Sequence, residues 1–480
     1  MKVLMSAFSC GPGRGSEPGV GWNMAVEAAR LGHEVVVLTQ SEFAEDIERQ
    51  VALGKLPPGL TFDIFMPPWL ARARDFGLRH NQPALTWHVV SVLWQFCALM
   101  HVRRRYRSVR FDLVHHVTFA GIRHPTLLTM LKVPAVLGPL GGGDRVPFAL
   151  RKSFPWKYWL VELARDLHNW SLRADPITRS AFRRARVIYL RTESALVAVP
   201  RRDRHKVRVR VGLGVADTVD AEPVPRADGE PLKLLYAGAL LYLKGVHLAL
   251  RALAQARDSG VDAVLTIAGD GPARSDYERL AKQLGLSQYV KFIGHLSREE
   301  LLNTYRDNHA LLFPSLRDAG GMVILEAFSQ ALPVICLGLG GPGKLVDETC
   351  GRVIDVTGLG ETACAEALGA AIYALAKDDT LRLAIGHGAV ARYDLFSWKR
   401  VVAEIYRDIG RQLEQQDAHH DGLGNAPADI APIREKIHVA QLQSGTVELA
   451  LSHASYCSDC GVAHAAGGRS DDITMPKWGN

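Results

Sequence analysis

Residues 309–339, HALLFPSLRDAGGMVILEAFSQALPVICLGL, decide the fold. HALLFPS (309–315) is a short apolar run that ends at a turn, and LPVICLGL (332–339) is another. Between them Gly320 and Gly321 open a helical segment, 320–330, in which Val323, Ile324, Leu325, Ala327 and Phe328 surround Glu326. Continuous apolar runs without polar alternation are expected of strands covered on both faces, as parallel strands are. Strand, turn, helix, strand is one βαβ unit.

The same rhythm runs in both directions from this stretch. On its side of the chain lie LKLLYAGAL (232–240), DAVLTIAG (262–269), VKFIGH (290–295) and GRVIDV (351–356), with helical segments at 245–258 and 274–284. Towards the N-terminus, strands are expected at 2–8, 33–39, 60–66, 111–118, 133–140, 185–192 and 207–212, with a helix at 20–31. AEPVPRADGEPL (221–232) has the proline and charge content of a linker. The expected architecture is therefore α/β, with two doubly wound Rossmann-like domains, 1–220 and 228–395, facing a central cleft. An amphipathic helix at 396–416 follows. The remainder, 417–480, is rich in Ala, Gly, Ser, His and Asp and is expected to be disordered.

Composition narrows the function classes. A chain of 480 residues with 48% apolar and 22% charged residues is too long for one core and too apolar for wholesale disorder. The net charge of +7 fits an anionic substrate, an anionic membrane surface or nucleic acid. No nucleic-acid-binding fingerprint is present, so no nucleic-acid partner is expected. Cys10, Cys97, Cys336, Cys350 and Cys364 lie mostly in apolar contexts and read as reduced thiols. MKVLMSAFSCGPGRG is too short and glycine-rich for a secretory signal, and no apolar run reaches membrane-spanning length. A cytoplasmic location follows as the expectation, with attachment to the inner face of a membrane as its variant.

In open α/β sheets ligands bind beyond the carboxyl ends of the strands, so motifs at those ends carry the chemistry. Gly11-Pro-Gly-Arg-Gly-Ser-Glu-Pro-Gly19 after the first strand can offer backbone N–H groups to an anion, or can be a plain tight turn. His115 and His116 close the strand at 111–118 and can bond a sugar hydroxyl or serve the backbone. Gly138-Pro-Leu-Gly-Gly-Gly-Asp144 allows close backbone approach. In the second half, Gly238-Ala-Leu-Leu-Tyr-Leu-Lys244-Gly245 sets a lysine at a helix start, where the dipole disfavours a cation; a bound diphosphate would resolve that conflict. Ala268-Gly-Asp-Gly-Pro272 ends another strand, and Leu339-Gly-Gly-Pro342 a third. Asp318 and Glu326 are separated by seven residues, and a Glu among Val323, Ile324, Leu325, Ala327 and Phe328 reads as buried with a partner, able to grip paired hydroxyls.

Together these motifs resemble the family-four retaining glycosyltransferases (glycosyl transferases group 1) of the GT-B fold, over 1–416. The most specific parts are Asp318 with Glu326, Lys244-Gly245 and the AGDGP turn; GSEPGVGWNMAVEAARLGHEVVVLT and GPLGGGD are similar to the family as well. The resemblance implies transfer of a hexose, with retention, from a UDP- or GDP-sugar to a glycan or lipid-linked acceptor, in polysaccharide or glycoconjugate biosynthesis. It implies that the second domain binds the nucleotide-sugar, the first the acceptor, and that the last helix crosses back to the first. By the same resemblance Lys244 binds the diphosphate and Glu326 the ribose. Asp318, with the amides of Ala319, Gly320, Gly321 and Met322, meets the donor sugar and phosphate, and Gly15, Gly238 and Gly269 complete the donor side. His116 (or His115) lies by the transferred sugar, so His116, Asp318 and Lys244 form the catalytic set. Ser16, Glu17, His115, Gly141 and Gly142 line the acceptor side. No Asp-x-Asp motif stands near the phosphate site, so neither metal nor other cofactor is expected.

Two positions depart from the family. Ala239 stands where an arginine is usual, with Arg317 and Lys344 as candidate substitutes, and Asp318 stands where glutamate is commoner. Two stretches remain outside this account. Residues 85–102 are apolar and aromatic and run into Arg103-Arg-Arg-Tyr-Arg, which suits either an interfacial helix on an anionic membrane or a core helix with a solvated basic end. Cys457 and Cys460, flanked by His453 and His464, have the look of a zinc site. Competing readings are a nucleotide-sugar epimerase and a non-catalytic sugar-nucleotide-binding protein.

Overall fold

The computed structural model describes residues 1–80, 83–124, 126–173, 175–215 and 219–421. The Cys457–Cys460 motif and nearly all of the expected tail lie outside the described residues. In the first domain the strands are β1 (Lys2–Ala7), β2 (Glu34–Thr39), β3 (Leu60–Ile64), β4 (Leu113–Thr118), β5 (Ala135–Leu140), β6 (Val187–Leu190) and β7 (Val207–Val209). The helices are α1 (Ser16–Arg30), α2 (Ala44–Ala52), α3 (Pro68–Arg79), α4 (Pro83–Arg105), α5 (Trp156–Trp170) and α6 (Pro176–Arg184). The second domain holds β8 (Leu232–Ala237), β9 (Ala263–Ala268), β10 (Val290–Gly294), β11 (Ala310–Phe313), β12 (Val334–Leu337) and β13 (Gly351–Ile354). Its helices are α7 (Val246–Asp258), α8 (Arg274–Gln283), α9 (Arg298–Arg306), α10 (Met322–Phe328), α11 (Pro342–Leu345), α12 (Glu361–Lys377) and α13 (Asp379–Leu395), and α14 (Trp398–Asp421) follows.

The two sheets repeat one topology. The first is seven-stranded in the order β3-β2-β1-β4-β5-β6-β7; the second is six-stranded in the order β10-β9-β8-β11-β12-β13. Every named strand pair is parallel. The central strands β1, β4, β5, β8, β11 and β12 bury nearly every side chain, because helices cover both sheet faces. Each sheet therefore has one switch point, β1/β4 in the first and β8/β11 in the second, where successive connections leave in opposite directions and open a crevice.

The chain crosses between the domains more than once. Val146, Leu150 and Phe154 belong to the apolar core of the second domain, although they lie in first-domain sequence. Conversely Trp398, Val402, Ile405, Tyr406 and Ile409 of α14 pack into the first domain beside α1. The Tyr189 hydroxyl donates to Asp408 at 2.8 Å, and Val215 bridges Ser397 in strand fashion at the crossing.

Several boundaries differ from the sequence expectation. α10 covers seven residues rather than 320–330, because Gly320 and Gly321 are held in the preceding loop. The final helix runs five residues past the expected end at 416. α4 is a core helix on one side: Val90, Trp94, Ala98 and Val102 are buried against the sheet. Its other side, with Val89, Leu93, Phe96 and Met100, is apolar and exposed.

Candidate active site

The β8/β11 switch point is built from two loops. After β8 the chain makes a single 3-10 turn, Tyr242–Lys244, and enters α7 through Gly245. Lys244 therefore precedes the helix rather than opening it. Gly245 is required there: its φ is +71°, and a Cβ would fall 1.9 Å from the Pro314 carbonyl oxygen. The close approach of these two loops brings Lys244 to Asp318, with Nζ 2.8 Å from Oδ2 and both side chains half-buried. Asp318 is fixed further by its own loop, where Oδ1 accepts the amides of Gly320 and Gly321 at 2.9 Å each. Burial opposes its charged form, yet the Lys244 ammonium and the two amides together hold the carboxyl below the ordinary aspartate range. Lys244 Nζ also stands 5.9 Å from the centre of the Phe313 ring.

Glu326 sits on the second turn of α10, where Oε2 accepts the Tyr305 hydroxyl at 3.3 Å. Burial pushes its carboxyl up, against the opposing pull of Arg298 and the Tyr305 hydrogen bond. Ala319 is buried and Met322 half-buried at the start of the same helix. Gly238 and Gly269 close the strand ends behind the site. At Gly269, with φ +139°, a Cβ would lie 2.0 Å from the Gly238 carbonyl oxygen, so backbone packs directly on backbone. Ala239, where the resemblance made arginine the usual residue, is exposed.

First-domain residues face this pair across the cleft. Asp144, at the end of the GPLGGGD loop, is buried and lies within electrostatic reach of Asp318 and Arg317. Its Oδ1 accepts the Ser194 hydroxyl, while Oδ2 has no hydrogen-bond partner among the described residues. Burial raises its carboxyl above the ordinary range. Gly141 is stitched to the neighbouring loop, donating to Ala120 at 2.7 Å, and Gly142 has φ +87°. Glu17 spans β4 and β6: Oε2 accepts the Phe119 amide and Oε1 the Arg191 guanidinium, both at 3.0 Å. Ser16 and Gly15 are exposed at the start of α1.

The structure corrects two expectations. His115 and His116 do not face the cleft, since both are 0% exposed. β4 is central and covered on both faces, so each ring is enclosed whichever way it points. His115 donates from Nε2 to the Gly138 carbonyl at 2.9 Å and accepts the Tyr406 hydroxyl at Nδ1. His116 donates from Nε2 to the His124 carbonyl and accepts the Ser6 hydroxyl, both at 3.2 Å. Burial lowers the pKa of each to about 4, so both rings are neutral. The candidate substitutes for the missing arginine are also occupied. Arg317 donates to Glu162 of α5 at 2.6 Å in a buried pair that ties the domains together, and Lys344 meets Glu193 at 2.7 Å at the surface. Sequence reasoning named Asp144 only as the end of its glycine loop, without a role, and missed Arg191 and Glu162, for which no local signal exists. Cys10, Cys336, Cys350 and Cys364 are buried free thiols and Cys97 is half-buried. Among the described residues no group of three or more His, Cys, Asp or Glu is placed to hold a metal ion. None of the described helices is long and apolar enough to cross a membrane.

Comparison with known proteins places this geometry. Residues 220–390 match the family described as Glycosyl transferases group 1. D-inositol 3-phosphate glycosyltransferase of Corynebacterium urealyticum is 30% identical over 246 residues, covering 47% of this chain and 57% of that protein. The chain spans about half the length of the first curated relatives it matches. Among solved structures, a lipopolysaccharide outer core galactosyltransferase in its apo form is similar with a TM-score of 0.54 at 13% identity, covering 86% of this chain and all of that one. The Anabaena protein HepE, solved in complex with UDP, has a TM-score of 0.50 at 16% identity with 86% and 100% covered. At such identities these two likenesses concern the fold. The two facing parallel sheets are the GT-B fold, and the second of them is carried by a domain of the glycosyl transferases group 1 family.

Proposed function

We propose that the chain is a retaining hexosyltransferase that takes its sugar from a UDP- or GDP-sugar and passes it to a glycan or lipid-linked acceptor. The observation that carries this reading is the Lys244–Asp318 pair at the β8/β11 switch point, with the Gly320 and Gly321 amides beside it. A diphosphate entering there meets a cation on a flexible stem and a loop already rigid. Lys244 moves from Asp318 to the leaving phosphate and neutralises charge as the glycosidic bond breaks. Asp318, held by two amides, stays in place and faces the sugar. Glu326, oriented by Tyr305, accepts the ribose hydroxyls. The acceptor lies against the first-domain wall, near Asp144, Gly141 and Glu17. His115 and His116 keep that wall rigid rather than touching sugar.

The relatives support the donor class, since HepE was solved with UDP. The reaction is proposed to need no metal. The test is incubation with UDP- and GDP-hexoses and sugar acceptors, with and without EDTA, after a thermal-shift screen for the nucleotide that stabilises the protein. Transfer that survives EDTA is the expected result. A hexose isomerised without acceptor would make the chain an epimerase, and binding without turnover would make it a sugar-nucleotide-binding protein; either outcome removes the proposal.

A further inference from the structure

α5 is turned inside out. Its buried side is largely polar, with Tyr158 packed on the second-domain core beside it: Glu162 meets Arg317 at 2.6 Å, Asp166 meets Arg151 at 2.9 Å and Arg145 at 3.4 Å, and Asn169 accepts the Arg123 guanidinium. Its outer side is apolar. Trp156, Leu160, Leu163, Leu167 and Trp170 follow one another at alternating intervals of four and three, which places them on one stripe. They are 69%, 48%, 47%, 66% and 54% exposed. Phe148, also exposed, lies 6.4 Å from the Trp159 ring in the turn leading to this helix. An amphipathic helix of a soluble domain normally faces its apolar stripe inward. An exposed apolar patch of this kind marks an interaction surface.

Charge selects the occupant. The two acids of α5, Glu162 and Asp166, are both engaged by arginines on the inner side. On α5 and the turn before it the exposed charged or titratable side chains are Lys152, Lys157 and His168, with Lys157 beside the Trp156 ring. A second copy of this helix would bring these groups against one another with no acid between them. A bilayer with anionic headgroups offers apolar depth for the stripe, counter-charge for the lysines and an interfacial level for a tryptophan at each end. We infer that the outer face of α5 seats this protein on an anionic membrane surface. The stripe lies on a different helix from residues 85–102 and the following arginines, although His168 of α5 lies within electrostatic reach of His88 of α4. It stands independently of the transfer reading, though it would set the cleft beside a lipid-linked acceptor.

The experiment uses the full chain with phosphatidylcholine vesicles, with and without phosphatidylglycerol, at low and high salt. Expected is co-sedimentation with the anionic vesicles that weakens with salt, and loss of at least about tenfold in partitioning for the Leu163→Glu/Leu167→Glu variant. Trp156→Ser/Trp170→Ser, which adds no charge, should lose partitioning in the same direction. Thermal midpoints and stabilisation by UDP report that both variants are folded. Three results would overturn the inference: wild-type protein that stays in the supernatant at every composition, α5 variants that bind as well as wild type, or binding abolished by Phe96→Glu on α4 alone. A wild-type dimer dissolved by the α5 substitutions, seen by light scattering, would assign the face to a second copy and would also overturn it. Loss of UDP stabilisation with vesicle binding intact would count against the donor site only.

Discussion

The β1/β4 and β8/β11 switch points share one topology and use their charges in opposite ways. At β8/β11 the two charged side chains hold each other, and Asp318 is also tied to backbone by two amides. Lys244 is a cation on a long side-chain stem, paired with a carboxylate that two amides hold in place. At β1/β4 the polar groups serve the fold: Glu17 bridges a backbone amide and Arg191, and both histidines are enclosed with both ring nitrogens engaged. A crevice at a switch point is an opportunity that the topology creates. Whether it becomes a reacting site depends on whether a charged group remains exchangeable.

That contrast can be broken by substitution. Lys244→Ala should lower kcat by on the order of 10²-fold, about 2.7 kcal/mol, whereas Glu17→Gln should change it far less. Equal losses in steady-state assays would erase the distinction between the two crevices. His116→Asn should cost about 1–3 kcal/mol of stability by urea titration, since it leaves a buried partner unpaired, while kcat/KM changes by less than roughly fivefold. A large kcat loss without destabilisation would return His116 to the chemistry.

Acidification sharpens the same comparison. His115 and His116 have folded pKa values of about 4, below the ordinary 6.5. The unfolded chain therefore takes up protons first. Their contribution to stability is whole above pH 6.5 and is lost as pH falls towards 4, at up to about 1.4 kcal/mol per unit for each ring. The Asp318 carboxyl, held low, keeps its contribution through that window and loses it only below the ordinary aspartate range. Urea titrations at pH 7 and 5 should show wild type losing more than His116→Asn. The smallest effect expected is a gain: Ala239→Arg, at an exposed position beside Gly238, should tighten UDP binding about fivefold, near 1 kcal/mol, by calorimetry.

The parts of the molecule visible in sequence are those where one pattern has one physical cause. Runs such as VICL and ALLF are apolar throughout because β12 and β11 are covered on both faces, and the alternation of strands with helices could be read directly. Lys244, Asp318 and Glu326 were visible because they follow strands at a predictable edge. The histidines were misplaced for the same reason that β4 was found: in a strand buried on both sides, neighbouring residues point to opposite faces and neither face is solvent. α5 was missed as a separate element. Its periodicity marks a helix, but no local pattern says that Glu162 and Asp166 turn inward to distant arginines. The Arg317–Glu162 pair, 155 residues apart in sequence, exists only once both domains are assembled.

Val146, Leu150 and Phe154 fill the interior of the second domain, and α14 fills a seam in the first. The apparent boundary near residue 225 is therefore a poor place to cut. A fragment beginning there would carry an interior missing three side chains, and its severed companion would lack a covering helix. Gene fusion, swapping of donor specificity between homologues and split-protein reassembly would each have to transplant 146–154 with the second domain and keep α14 with the first. The unit that can be exchanged is defined by packing and is discontinuous in the chain.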